Sequence, residues 1–498
     1  MTRSPEDLGA SFESVEKQSP EGRPPKPLPW RIGDARELSL PRGFYVVLST
    51  CVVALLSAWI AMNYPPRTAM ALFFSLVGGV LILFQPFLGV LAYYTLAFMR
   101  PQDVFWGFAD TRLTLLVSIS TLAATAFHFL RHPDLSFIKS KQTFFLIVLW
   151  IFIFLSTQFG EFAQPQPKWM DYYNKMFLMY FIMIALSSTE KRLLTLTWLI
   201  GLSIAYLGYW ANEMYFFNGW HIVHGPGKPG STFHDENDFA MILVMAVPIL
   251  WYLMRSTGNW ILKAGLVGAL GLTAHAVMLT YSRGGFLGLA GSMLVIVLRE
   301  KNRYLGGLLL LGGVAFFVLF TGDLYRARIT SINTYEEDTS ATGRFESWEA
   351  GRSMAMHNPL FGVGLKRYVA AFPAYSGSSA RVAHNSWVQL AAECGLIAVG
   401  AYGILVLLTI ISVRTIEKRI RTFTGPNRHL CEQLMRMFEA CLAGYLVCGF
   451  FLSMEDAEFF YVLVGMVYVL DRITEARARE MAIALSPVPS LTPKRSTA

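Results

Sequence analysis

The sequence predicts an all-α fold: a polytopic integral membrane protein with about twelve to fourteen transmembrane helices and one large extramembrane loop. Three observations carry this. Of the 498 residues, 54% are apolar and 15% charged. The apolar residues come in blocks of roughly twenty, the length a helix needs to cross hydrocarbon. One polar stretch, 321–386, interrupts these blocks near the C-terminal end.

Residues 1–42 are rich in Pro, Ser, Glu, Lys and Arg and hold no apolar run, so they read as a disordered tail. The apolar run that follows is too long and uninterrupted for a signal-peptide core, has no convincing cleavage site, and reads as the first span. Spans are expected at about 43–61, 69–84, 86–99, 112–130, 142–158, 172–187, 192–209, 237–254, 263–281, 285–298, 304–320, 387–413, 434–453 and 457–471. This divides the chain into a tail (1–42), an N-terminal helical bundle (43–320), the large loop (321–386), C-terminal helices (387–471) and a second tail (472–498).

The block 69–99 reads either as one long tilted helix or as two short ones broken at Gln85-Pro86. Charge decides for two. With two spans and a cytoplasmic N-terminal tail, the basic connections holding Lys139, Lys191, Arg255, Lys301 and Arg419 all fall on the cytoplasmic side, as the positive-inside bias requires. The same bookkeeping puts segments 100–111, 159–171, 210–236 and 321–386 on the outer side, away from ATP and nucleotide sugars, so a donor used there must bring its own activation. Five cysteines without metal-like spacing predict neither a disulfide framework nor a zinc site.

Four polar groups gather on the predicted outer face. Arg283, in Tyr281-Ser282-Arg283-Gly284-Gly285, sits at a span end. Its planar fork suits a phosphate or diphosphate, and the glycines would let a headgroup approach the backbone; the alternative is a snorkelling cation marking the interface. His384 closes the loop, and Asn385, Gln389 and Glu393 follow at i, i+4 and i+8, a polar stripe descending into the membrane. His384 could serve as general base, or Asn385 could simply cap the helix beside an inert ring.

Within the loop, 342–352 reads as a helix capped by Thr342, with Arg344, Trp348 and Arg352 on one face, suited to a headgroup layer or a glycan. Pro359 to Gly364 reads as a tight turn. Finally, His234, Asp235, Glu236 and Asp238 could hold a divalent cation or form an acidic first helical turn that complements the dipole. The crowding of the ligands favours the second.

These stretches, namely Gly230 to Ala240, Ser282 to Gly285, Gly343 to Gly364 and His384 to Leu396, resemble the O-antigen ligase and polymerase superfamily of bacterial inner membranes. Phe233-His234-Asp235-Glu236-Asn237-Asp238-Phe239 and Arg100-Pro101-Gln102-Asp103 are similar to the O-glycosylation ligases that accompany exosortase systems. The resemblance implies a multi-pass inner-membrane enzyme whose large loop and active site face the periplasm. It would transfer a glycan from a polyprenyl diphosphate carrier to an acceptor hydroxyl on a lipid, protein or glycan.

On that resemblance His384 is the base or orienter of the acceptor, and Arg283 and, as a weaker match, Arg344 hold the diphosphate. Asn385, Glu393, His234 and Trp348 support them. A further basic residue before the span at 237–254 is implied, with Lys228, His221 and His224 as candidates. No cofactor, metal or nucleic acid is called for, and no nucleotide-binding glycine loop is found. The alternatives are a polymerase with the same donor chemistry and a flippase or transporter of lipid-linked glycans. The second would tend to show internal repeats, and none is seen.

Overall fold

The computed structural model describes residues 66–104, 113–131, 136–227, 232–302, 339–423 and 426–485, with isolated positions at 56, 62 and 304–315. The expected spans 43–61 and 304–320, the tail 1–42, the first part of the large loop and residues 486–498 lie outside this set or almost wholly so. All regular structure among the described residues is helical. Seven of the helices are long and apolar enough to cross a membrane.

Pro66–Phe84 (α1) and Pro86–Phe98 (α2) are separate helices with Gln85 extended between them. Proline starts the second helix because its missing N–H costs nothing in a first turn. A short turn of helix, Pro101–Val104 (α3), follows. Next come Leu113–Arg131 (α4), Lys141–Phe159 (α5), Pro167–Leu186 (α6) and Glu190–Asn218 (α7).

Glu236–Ser256 (α8) is the centre of the bundle. Every residue from Phe239 to Met254 is buried, as expected of a helix that is apolar all round. It packs on α7, on Trp260–Leu279 (α9), on Arg283–Arg299 (α10) and on Pro426–Phe451 (α14).

The large loop is partly helical. Thr339–His357 (α11) starts three residues before the expected cap at Thr342, and Tyr368–Ser376 (α12) follows. Ser386–Ile420 (α13) and Glu458–Leu485 (α15) complete the described chain. The last helix runs well past the expected span end at 471, so residues 472–485 are helix.

α13 is not continuous. Gly395, at φ 86°, breaks it nine residues from its start. The segment expected to form only a tight turn, Pro359 to Gly364, docks into the gap. Val363 N–H donates to Ala392 O at 2.8 Å, Gly364 N–H to Glu393 O at 3.0 Å, and Leu396 N–H donates to Pro359 O at 2.7 Å. The loop thus supplies partners to backbone groups that the break would otherwise leave unpaired, a condition for irregular backbone at a membrane boundary. A Cβ on Gly395 would lie 2.4 Å from Leu360 O, so no other residue fits there.

The two ends of the bundle differ chemically. At one end Arg299 forks onto Glu439 at 2.6 and 2.7 Å and onto Glu417 at 3.0 and 3.2 Å, and Arg419 pairs with Asp471. These residues lie on the side that the charge bias marks as cytoplasmic. At the other end, the segments expected to share the outer face touch one another. Phe162 N–H donates to Val363 O at 2.9 Å, and Arg100 stands over the Phe233 ring at 4.6 Å; Val223 N–H donates to Leu279 O at 3.1 Å, at the end of α9.

Candidate functional site

Three helix N-termini meet at this second end. Ser282 caps α10 by accepting from Gly285 N–H, and its hydroxyl donates to Asn237 Oδ1 at 2.7 Å, tying α10 to the first turn of α8. Asp235 caps α8, accepting from Asn237 N–H at 2.8 Å and Asp238 N–H at 3.2 Å. This is the acidic first-turn geometry that the crowded carboxylates suggested. Asn385 caps α13, accepting from Trp387 and Val388 N–H, and its amide donates to Phe450 O at 3.0 Å. Ser386 donates to Leu452 O at 2.9 Å and accepts from Met454 N–H at 2.8 Å. The 450–454 segment, the end of α14 and the turn after it, is therefore the floor against which these helices start.

Arg283 is the first residue of α10 and is half-buried. The glycines after it serve a different purpose from the one expected. A Cβ on Gly284 would meet the Leu452 side chain at 2.8 Å, and one on Gly285 would meet Ala240 Cβ at 2.5 Å. They let α10 close on α8 and on the floor, so the space beside them is filled by protein.

His384 is half-buried with φ 47°, an uncommon backbone for a residue other than glycine. Burial, then the Arg344 guanidinium, holds its imidazole below the usual value, while Asp235 and Glu236 pull the other way. One ring therefore lies in the fields of a loop cation and of the α8 N-terminus. Trp348 Nε1 donates to Ala383 O at 2.9 Å, and its ring packs on Phe450 at 5.6 Å. Arg344 and Trp348 thus both bear on the His384 segment, whereas Arg352 is exposed and paired with Glu349.

Glu393 is 2% exposed. It accepts from Lys366 N–H at 2.8 Å, Tyr368 N–H at 3.3 Å and Gln389 Nε2 at 2.6 Å. Its carboxylate fastens the loop to α13. His234 stacks on His224 with ring centroids 5.2 Å apart, and His224 Nδ1 lies 3.5 Å from Glu236. Of the two candidate histidines, His224 is the one at this cluster; His221 is exposed. Lys228 lies outside the described residues.

Sequence reasoning missed a second charged cluster. Lys366 Nζ lies 2.9 Å from Asp456, 3.1 Å from Glu455 and 4.6 Å from the Trp169 ring centre. Burial alone would lower the Lys366 ammonium. Asp456, Glu455 and Glu393 overcome that and raise it well above its ordinary value. Adjacent carboxylates between two apolar runs were the available signal. Among the described residues four other than glycine have positive φ, namely Arg100, Tyr281, Lys366 and His384. All four lie at this end, the pattern of strain gathered at a working site. Among the described residues no group of three His, Cys, Asp or Glu side chains is placed to hold a metal ion.

Fold and site together define an all-α, multi-pass membrane protein with strained, cation-bearing chemistry collected at one end of its bundle. Residues 268–403 match the family model for O-antigen ligase, and over that stretch the chain is similar to those ligases. No curated protein and no solved structure gives a match. The matched stretch carries Arg283, Arg344, Trp348, His384, Asn385 and Glu393, while His234 and Lys228 precede it.

Proposed function

We propose that the chain is a glycosyltransferase that moves a glycan from a polyprenyl diphosphate carrier to an acceptor hydroxyl on a lipid, protein or glycan. The observation that carries this reading is that the charges of Arg344 and of Asp235 and Glu236 at the start of α8 all bear on the His384 ring, with His384 and Arg344 inside the stretch similar to O-antigen ligases. In the reaction the acceptor oxygen bonds to the anomeric carbon as the bond from that carbon to the diphosphate oxygen breaks. His384 takes the hydroxyl proton, and a neutral imidazole is the form that can do so.

The diphosphate leaves with the bonding electrons, and its charge is met by Arg283 and Arg344. Lys228 belongs to the same donor-binding group. Asn385, Trp348, Glu393 and His234 hold these groups in place. A diphosphate is already a good leaving group, so positioning and charge stabilisation supply most of the catalysis and no metal is required. We place the enzyme in a bacterial inner membrane with this end facing the periplasm, within the group that accompanies exosortase systems. We keep the division into tails, bundle and 321–386 loop read from the sequence, save that the last helix continues to Leu485.

The test is transfer in vitro with purified wild type and His384→Ala, a polyprenyl diphosphate-linked glycan and separate acceptors. Histidine-dependent appearance of acceptor-linked glycan and released lipid diphosphate is expected. Glycan lengthening instead would make the protein a polymerase. Glycolipid movement across vesicles without any transfer would make it a flippase.

A further inference from the structure

Arg100-Pro101-Gln102-Asp103 plays no part in the reaction just described, yet Arg100, Gln102 and Asp103 line a cavity of about 260 Å³ between the ends of α2, α6 and α15. Trp169, Tyr172, Tyr93 and Phe233 form its aromatic walls. The turn that carries Phe233 continues into Asp235 and Glu236, which act on His384. One turn therefore borders both the cavity and the candidate reaction centre.

The polar groups say what would fit. Gln102 is 8% exposed; its Nε2 donates to Leu96 O at 3.2 Å, while its Oε1 has no hydrogen-bond partner. Glu458 Oε1, also in the lining, has none either, although Tyr93 supports the carboxyl group as a whole. Buried acceptors are rarely left unpaired, so both call for donors from outside. Three cations, Arg100, Lys168 and Lys175, stand in the lining with two carboxylates, Asp103 and Glu458, and two of the cations are already engaged, Arg100 with Asp103 and Lys175 with Asp171 at 2.7 Å. A set with most of its cations paired offers little to a diphosphate. Aromatic faces with a few placed polar groups suit a compact ligand rich in hydroxyls.

We propose that this cavity is a subsite for one neutral sugar ring of a glycan substrate, with its hydroxyls donating to Gln102 Oε1 and Glu458 Oε1 and its apolar face against Trp169 or Tyr172. Arg100 holds the floor of the site through its strained backbone, at φ 49°, and its contact with Phe233. The inference rests on the reading of the chain as a glycan transferase, but binding can be measured without transfer.

The experiment is saturation-transfer NMR on the full chain in lipid nanodiscs, with chitobiose, maltose and inorganic pyrophosphate as probes. At least one disaccharide should bind. Gln102→Met, close in shape but without the acceptor, should weaken that binding about tenfold, and Trp169→Phe should also reduce it. Thermal melts of Gln102→Met and Trp169→Phe that match wild type guard against misfolding as the cause. His384→Ala should bind sugar as wild type does.

Absence of disaccharide binding, or binding indifferent to both Gln102→Met and Trp169→Phe, would overturn the proposal. So would pyrophosphate that displaces the sugar and loses its hold in Lys168→Ala, because the cavity would then be an anion site. Sugar binding that persists while no donor is ever turned over would instead sink the transferase reading. In the transfer assay, a raised KM for donor or for acceptor in Gln102→Met tells which glycan the cavity holds, and no change in either counts against it.

Discussion

Trp348 Nε1 donates a 2.9 Å hydrogen bond to the carbonyl of Ala383, which is fully buried and immediately precedes His384. A residue of the large loop thereby fixes the backbone on which the candidate base stands. Trp348→Phe keeps a ring against Phe450 but removes the donor. We expect a loss of about 1 kcal/mol in stability and a larger proportional fall in kcat than any change in KM, read from steady-state transfer and thermal melts of the same preparations.

The pH profile tests the field around His384. Burial and the Arg344 charge hold the imidazole below its usual value near 6.5. A base works when neutral, so kcat/KM should fall only as pH drops through this lowered value, with activity kept somewhat below pH 6.5. Arg344→Gln removes a cation that lowers the value and should move the acid limb to higher pH. Asp235→Asn removes an anion that raises it and should move the limb lower. An acid limb that stays fixed in both variants would remove His384 as the titrating group.

Lys366 is the largest stability prediction. Its side chain is 18% exposed, and those of Glu455 and Asp456 are 2% and 4% exposed. Lys366→Met leaves two carboxylates buried without their cation, and breaking such a cluster from one side costs about 3–5 kcal/mol. Glu455→Gln and Asp456→Asn added to Lys366→Met should recover much of this. Thermal unfolding in nanodiscs decides it; Lys366→Met should melt as wild type does if Lys366 matters only through its backbone N–H to Glu393.

Asn385 has two separable duties. Asn385→Ala removes the cap of α13, a change worth about 1 kcal/mol, together with the bond to Phe450 O. Asn385→Asp keeps the capping oxygen and loses only the amide donor. The aspartate variant should therefore melt nearer to wild type while still showing reduced transfer.

Helices were legible in the sequence because the apolar blocks match a membrane's thickness, and the break at Gln85-Pro86 was legible because the positive-inside bias calls for two spans there. Arg283 and His384 could be found from short local motifs at span ends. The Lys366 cluster was legible only on its acidic side, as adjacent carboxylates between two apolar runs, since Lys366 and Glu455 stand 89 residues apart with no shared periodicity. The interruption at Gly395 was likewise hidden. A lone glycine in an apolar run only weakens a helix, and the loop segment that fills the gap reads as an ordinary turn. The glycines after Arg283 were seen but misassigned, because sequence does not say whether a bare backbone faces a ligand or another helix.

The docking of Pro359 to Gly364 into α13 bears on engineering. Loops on membrane proteins are usually exchanged between relatives as detachable modules, cut where the chain leaves the bilayer. Here that boundary does not exist, because the loop's own amides stand in for a missing turn of the helix. A graft of another loop into this scaffold should fail to assemble unless α13 as far as Gly395, with Ser156 on α5, which donates to Glu393 O at 2.6 Å, travels with it. The unit of exchange is the broken helix and its plug together.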